Sequence, residues 1–217
     1  MLTTDFGGAS LVLLPEKAVF LPADHTLLIA DAHIGKAVSF RRWGVPVPRG
    51  TTAETLGLLT ALVERTGARR VVFLGDFLHS ERSHAPGTLA ALAAWRAAHR
   101  SLELVLVRGN HDERAGDPPA GLDMQCVDEP WRLGPLALCH HPQAVPGAWS
   151  LAGHLHPCIA LSGRALDRLR LPCFWFSGAT GVLPAFGSFT GMQHIRPQPG
   201  DRLFVSTGDR VFEVPRA

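Results

Sequence analysis

Five short clusters carry the side chains that could do chemistry: Asp31-Ala32-His33, Gly75-Asp76-Phe77-Leu78-His79, Gly109-Asn110-His111-Asp112, Cys139-His140-His141 and Gly153-His154-Leu155-His156. Their donors are carboxylate, amide and imidazole with no sulfur ligand, a set that suits Mn, Fe or Zn, with Mn favoured because a neutral oxygen is included. A pair of divalent ions about 3.5–4 Å apart needs a bridging group with two oxygens. Asp76 fits the bridge; Asp31, His33 and His156 complete one ion's ligands, and Asn110, His140 and His154 the other's. Taken singly, an Asp-x-His or His-x-His pair is an ordinary polar loop. Five in one order, each behind an apolar run, point to one shared site for two divalent metal ions.

The runs that precede the clusters are TLLIA, RVVFL, LELVLVR, LAL and WSLA, which read as buried strands. Ligand residues at strand ends suit an open α/β fold, where sites form outside the carboxyl ends of the strands. Apolar runs 11–14, 18–20 and 26–30 predict opening strands. Thr51 or Thr52 predicts a helix cap, and Leu58, Leu59, Leu62 and Val63 then repeat at helical spacing until Gly67. Strand 70–74, helix 87–99 behind Pro86 and strand 102–107 follow, an alternation that implies parallel pairing with right-handed crossovers. Residues 37–50, with two prolines and no period, predict a long loop near the site. After residue 124 the texture changes to short strands over 125–127, 131–133, 136–140, 149–152, 158–161, 171–176, 202–205 and 210–214, which predicts a second, largely antiparallel sheet. The expected fold is α/β, a four-layer α/β/β/α sandwich forming a single domain over residues 1–217.

Composition excludes little. The chain has 217 residues, 46% of them hydrophobic, enough for a substantial core. No stretch of eighteen apolar residues occurs and the start lacks a secretory signal, so a cytoplasmic protein with no membrane partner is expected. Cys126, Cys139, Cys158 and Cys173 show no CxxC spacing and read as free reduced thiols. A net charge of +2 does not argue for nucleic acid. Only Lys17 and Lys36 are lysines; the preference for arginine suits phosphate but is read as base composition.

The order DAH, GDFLH, GNHD, CHH and GHLH resembles the calcineurin-like binuclear metallophosphoesterases, whose pattern is D-x-H, G-D, G-N-H-D/E, a later H, and G-H-x-H. The resemblance implies the α/β/β/α sandwich and the same two-metal ligand set. His140 and His141 face opposite ways on a strand, and His140, which directly ends its apolar run, is taken as the ligand. His111 has no metal role in the family pattern and is the candidate acid for the leaving group, with Asp112 expected to orient it.

The length, the GDFLHS and CHHP versions of the motifs and the segment Leu183–Gly191 resemble a narrower group, the bacterial DNA-ligase-associated (PdeM-like) metallophosphoesterases. That group implies Mn-dependent endonuclease action on single-stranded DNA, in a repair cluster with an ATP-dependent DNA ligase, a helicase and an exonuclease. His79 resembles an extra nuclease-type histidine and could touch a phosphate oxygen. Arg41, Arg42 and Trp43 combine charge with an aromatic face, as a single-strand groove requires. Phe186 and Phe189 are expected to pack. The alternative substrates are a small nucleotide or a phosphoprotein, and a non-catalytic scaffold is disfavoured because no ligand is missing.

Overall fold

Alternate residues of the central strands face two different cores, which is why those strands read as unbroken apolar runs. The computed structural model describes residues 1–42, 44–47, 50–162, 168–188 and 190–215; Trp43 and Phe189 lie outside them. In the first sheet, β1 (Leu2–Phe6), β2 (Ala9–Leu14), β3 (Ala18–Leu21) and β4 (Thr26–Ala30) pair antiparallel in that order. Parallel pairing then runs from β4 through β5 (Arg70–Leu74) and β6 (Glu103–Val107) to β7 (Met124–Val127). Leu27, Ile29, Val71, Phe73, Leu104 and Leu106 face the helices, while Leu28, Ala30, Val72, Leu74, Val105 and Val107 face the second sheet. Each fully buried side chain of this kind contributes about 1.5–3 kcal/mol.

Helices α2 (Thr51–Thr66) and α3 (Pro86–Ala98) cover the outer face through Leu56, Leu59, Leu62, Leu92 and Trp95. Gly50, rather than a threonine, occupies the N-cap of α2, and Pro86 starts α3 as expected. The segment predicted as loop from residue 37 begins instead as a helix, α1 (Lys36–Arg42). Tertiary contacts hold this short helix: Ala37 and Ser39 are buried, and the Ser39 and Ser80 hydroxyls hydrogen-bond at 2.9 Å. A fourth helix, α4 (Asn110–Ala115), follows β6.

The second sheet is largely antiparallel, as expected, but includes three parallel pairs. Its strands are β8 (Trp131–Leu133), β9 (Leu136–Leu138), β10 (Trp149–Ala152), β11 (Pro157–Ser162), β12 (Arg168–Ser177), β13 (Thr180–Val182), β14 (Gln193–His194), β15 (Arg202–Ser206) and β16 (Val211–Glu213). β10 runs parallel to both β9 and β13, and the outer pairs, apart from β11 with β14, are antiparallel. Phe174, Phe176 and Phe204 point at the first sheet, whereas Cys173, Leu203 and Val205 point outward into a smaller cluster with Ile159 and Ile195. Two mixed sheets packed face to face in an α/β sandwich are therefore the fold. Its layers are unequal, because among the described residues the helical cover lies before the second sheet begins.

Lys17, in the turn between β2 and β3, is half-buried and donates from Nζ to the Phe186 carbonyl at 2.9 Å. Burial pulls its ammonium down to about 8. The folded value lies below the unfolded one, so below pH 8 the charge costs stability, and the cost is relieved as pH rises from about 8 to about 10.4. Urea unfolding of the wild type and Lys17→Met across that range should therefore show the wild type gaining up to roughly 3 kcal/mol on the variant. A difference that stays flat with pH would contradict this reading of Lys17.

Candidate metal centre

The carboxyl ends of parallel β4, β5 and β6 meet those of parallel β9 and β10 at one edge of the sandwich. Five expected ligands there hold left-handed backbone conformations: Asp31 (φ 52°), His33 (φ 46°), Asp76 (φ 51°), His154 (φ 68°) and His156 (φ 48°). Such conformations cost L-residues roughly 1–2 kcal/mol each and persist only where surrounding bonds enforce them. Here the His33 N–H donates to the Asp76 carbonyl at 2.8 Å and the Ile34 N–H to the Phe77 carbonyl at 2.7 Å, tying the loops after β4 and β5 together. The His154 N–H donates to the Asp31 carboxylate at 2.9 Å, tying the second sheet to the first.

Two motif glycines are required by the packing of these ligands. A Cβ on Gly75 would lie 2.1 Å from His140 Nδ1, and one on Gly153 would lie 2.6 Å from Asp31 Oδ2. Gly75 also has φ 75°. Any side chain at either position would push a ligand out of place.

The Asp76 carboxylate is divided between two sides of the site. Its Oδ1 lies 3.5 Å from His140 Nε2, and its Oδ2 lies 3.8 Å from His33 Nε2. Asn110 Oδ1 lies 3.0 Å and His154 Nδ1 3.1 Å from His140 Nε2, while His156 Nε2 lies 3.4 Å from Asp31 Oδ1. Donor atoms of Asp31, His33 and His156 all fall within 4.8 Å of one another, as do those of Asp31, Asp76 and His140. Asp31 and His140 are fully buried.

These residues fit metal by their hydrogen bonding. His140 Nδ1 faces the Leu74 carbonyl and His156 Nδ1 the Gly191 carbonyl, each at 3.0 Å. A carbonyl only accepts, so Nδ1 carries the hydrogen and Nε2 turns its lone pair inward, the orientation used by ligating histidines. Burial, aided by Lys36 and nearby histidines, holds His33 far below the usual imidazole range, leaving it neutral. His154 is also lowered, by burial and then by His140 and His141. Burial opposes charge on His156, but the Asp31 carboxylate outweighs it and raises that ring. Cys139 Sγ donates to the Ala137 carbonyl, and burial pushes its thiol up to about 11.

His141 stands at the edge of this centre, with a donor atom within 4.8 Å of those of His140 and His154. Its Nδ1 meets Glu129 Oε1 at 2.7 Å, and Glu129 Oε2 accepts the N–H groups of His140 at 2.6 Å and His141 at 2.9 Å. Glu129 thus fixes the turn that aims His140 inward, a role with no motif to announce it. Lys36 was also unannounced. Burial lowers its ammonium while Asp76 and Asp31 pull it back up, and Nζ sits 5.9 Å from the Phe40 ring centroid.

His111 lies on the rim. Its backbone N–H donates to Asp76 Oδ1 at 3.0 Å, and its Nε2 lies 3.9 Å from Asp76 Oδ2. The group that orients its ring is the His79 carbonyl, 2.7 Å from Nδ1, and not Asp112. Asp112 is buried and accepts from Leu78 N–H at 3.1 Å and Gly109 N–H at 3.0 Å, clamping the loops after β5 and β6. Adjacent residues on a helix do not face each other, which is why the expected Asp112–His111 pair does not form. Burial raises the Asp112 carboxyl to about 6 despite those two donors.

The His79 ring stacks on His111, with centroids 4.9 Å apart and planes 22° apart, and burial, then Lys36 and His111, lowers it to about 4. Arg41 and Arg42 are exposed in the last turn of α1, beyond Phe40, whose centroid lies 6.4 Å from that of His79. Phe186 packs in the helix-side core, and the backbone N–H groups of Phe186 and Gly187 donate to the carbonyls of Ala30 and Asp31.

The chain is 46% identical to a nuclease MPE of Pseudomonas putida over 98% of this chain and 99% of that one, and its fold superposes on that crystal structure with a TM-score of 0.86. A phosphoesterase from E. coli, YfcE, is 15% identical over 87% of this chain and 97% of that one, with a TM-score of 0.44. No family model matches the chain, and no curated protein matches it.

Proposed function

The chain belongs to the metallophosphoesterase family, and we propose that it is an endonuclease that hydrolyses phosphodiester bonds of single-stranded DNA with two divalent ions. The observation that carries the reading is the convergence of Asp31, His33, Asp76, Asn110, His140, His154 and His156 from both sheets on one centre. Asp31, His33, Asp76 and His156 would hold one ion, and Asp76, Asn110, His140 and His154 the other, with Mn favoured by the oxygen and imidazole donors. Bound there, the ions supply positive charge for the phosphoryl oxygens and an activated water. The identity to a nuclease supports a nucleic acid substrate.

The chain's own groups account for the remaining proton chemistry. With Nδ1–H held by the His79 carbonyl, protonated His111 presents Nε2–H to the site and can hand that proton to the departing oxygen as the P–O bond breaks. His79, neutral at physiological pH, can donate one hydrogen bond to a phosphate oxygen. Arg41 and Arg42 extend positive charge along the rim for the strand. Asp112 acts through the loops it clamps. We place the protein in the DNA-ligase-associated (PdeM-like) clade, and with it in cytoplasmic DNA repair beside an ATP-dependent DNA ligase, a helicase and an exonuclease.

Circular single-stranded DNA incubated with the protein and Mn should be nicked, nicking should stop with a chelator, and added Mn should restore it. Intact DNA alongside rapid hydrolysis of a small nucleotide ester or a phosphoprotein would overturn the DNA reading.

A further inference from the structure

Beside His111 the surface opens into a groove of about 390 Å³ lined by Ser39, His79, Ser80, Glu81, Arg82, His111 and Arg114. Two of its walls repeat one arrangement. His79-Ser80-Glu81-Arg82 follows β5 and His111-Asp112-Glu113-Arg114 follows β6, so each stacked histidine is followed three residues later by an arginine lining the same groove. On α4 the spacing of three puts Arg114 on the same side as His111, while Asp112 turns inward. The segment bearing Arg82 is a single 3-10 turn, Glu81–His84, pinned at several points. Ser83 Oγ accepts the N–H groups of His79 at 3.2 Å and Ser80 at 3.3 Å, and His84 Nε2 donates to the Ala115 carbonyl at 2.9 Å. That last bond joins the two arginine-bearing walls directly.

In-line displacement places the departing oxygen opposite the attacking water, and a proton donor must stand beside that oxygen. The strand attached to the departing oxygen therefore runs past His111 and out through the groove it lines. Guanidinium groups on either wall suit the next phosphodiester of that strand, since arginine matches phosphate oxygens in a forked geometry. Glu81 is the one acid among the lining residues, so the two arginines leave the groove with a net positive charge.

Building on the nuclease reading, we infer that this groove is a phosphate subsite for the leaving strand of a polynucleotide, with Arg114 and Arg82 as its phosphate contacts. The subsite selects a polymer over a mononucleotide ester, because a substrate with no phosphodiester beyond the scissile one leaves it empty. It also sets the direction in which the strand lies across the metal centre.

The test compares the Mn-loaded wild type with Arg114→Ala, Arg82→Ala and the double variant, on circular single-stranded DNA and on an aryl phosphodiester. The ratio of DNA nicking to aryl ester hydrolysis should fall about tenfold for each arginine removed, mainly through KM. The salt dependence of KM for DNA should become shallower by about 0.7 per arginine on a double logarithmic plot. Arg114→Lys, which keeps the charge and disturbs α4 least, should retain the salt dependence and lose part of the ratio. A double variant with an unchanged ratio and salt slope overturns the subsite, as does a parallel loss on both substrates. A wild type that turns over the aryl ester but leaves DNA intact instead overturns the nuclease reading on which the subsite rests.

Discussion

Asp76→Ala should abolish hydrolysis in a protein that still folds. Each carboxylate oxygen of Asp76 faces a different cluster of donors, so this one truncation removes a ligand from both proposed ions. The loss should exceed the ~10²–10³-fold that follows from deleting one electrostatic contact, because the charge clamp on the phosphoryl group goes with it. The fold persists because Asp76 lies past the end of β5 and outside the apolar clusters. Alanine at φ 51° costs about 1–2 kcal/mol of backbone strain, which Asp76→Asn avoids. Without metal, removing one of two neighbouring buried carboxylates relieves repulsion, so the thermal midpoint of Asp76→Asn should be no lower than the wild type's. Mn should then raise the wild-type midpoint and leave that of the variant in place. Near wild-type turnover by Asp76→Ala would refute the bridging assignment.

His111→Ala discriminates between leaving groups. General acids contribute about 10²–10⁴-fold where the departing oxygen is a poor leaving group, and much less where it is already stable as an anion. The variant should therefore lose at least about a hundredfold on DNA and far less on an activated aryl ester. Asp112→Asn supplies the contrast. Asp112 holds Leu78 and Gly109 in place and does not touch the His111 ring, so its loss should lower turnover of both substrates by similar factors. Equal losses on both substrates in His111→Ala would remove His111 from the acid role.

The layered fold and the convergence of the candidate ligands were both legible in outline. Ligand chemistry attaches to residue types, and Asp31, Asp76 and His140 each sit behind apolar strands long enough to recognise. Helices α2 and α3 announce themselves by leucine spacing. Strand β1 does not, because it alternates Thr and Asp with buried residues at the sheet edge and offers no apolar run. β13 and β14, three and two residues long, fall below any periodic signal. The parallel pairing of β9 with β10 was hidden because their connection, residues 139–148, carries no helix, the usual mark of a parallel crossover. The groups that orient His111, His140 and His156 are the carbonyls of His79, Leu74 and Gly191, and a backbone carbonyl has no letter in a sequence. Asp112 illustrates the opposite error, since adjacency to His111 suggested a pairing that helix geometry forbids.

The proposed ligands are divided between the sheets: Asp31, His33, Asp76 and Asn110 follow strands of the first, and His140, His154 and His156 follow strands of the second. A growing chain acquires the first set early and the second only after residue 139, as synthesis proceeds from the N-terminus. Until the two sheets dock, neither proposed ion would have a complete shell, and a nascent or broken chain would hold half a site. The proposed strand-cutting activity, built this way, would be withheld from unfinished copies by their incompleteness alone, with no inhibitor and no processing step.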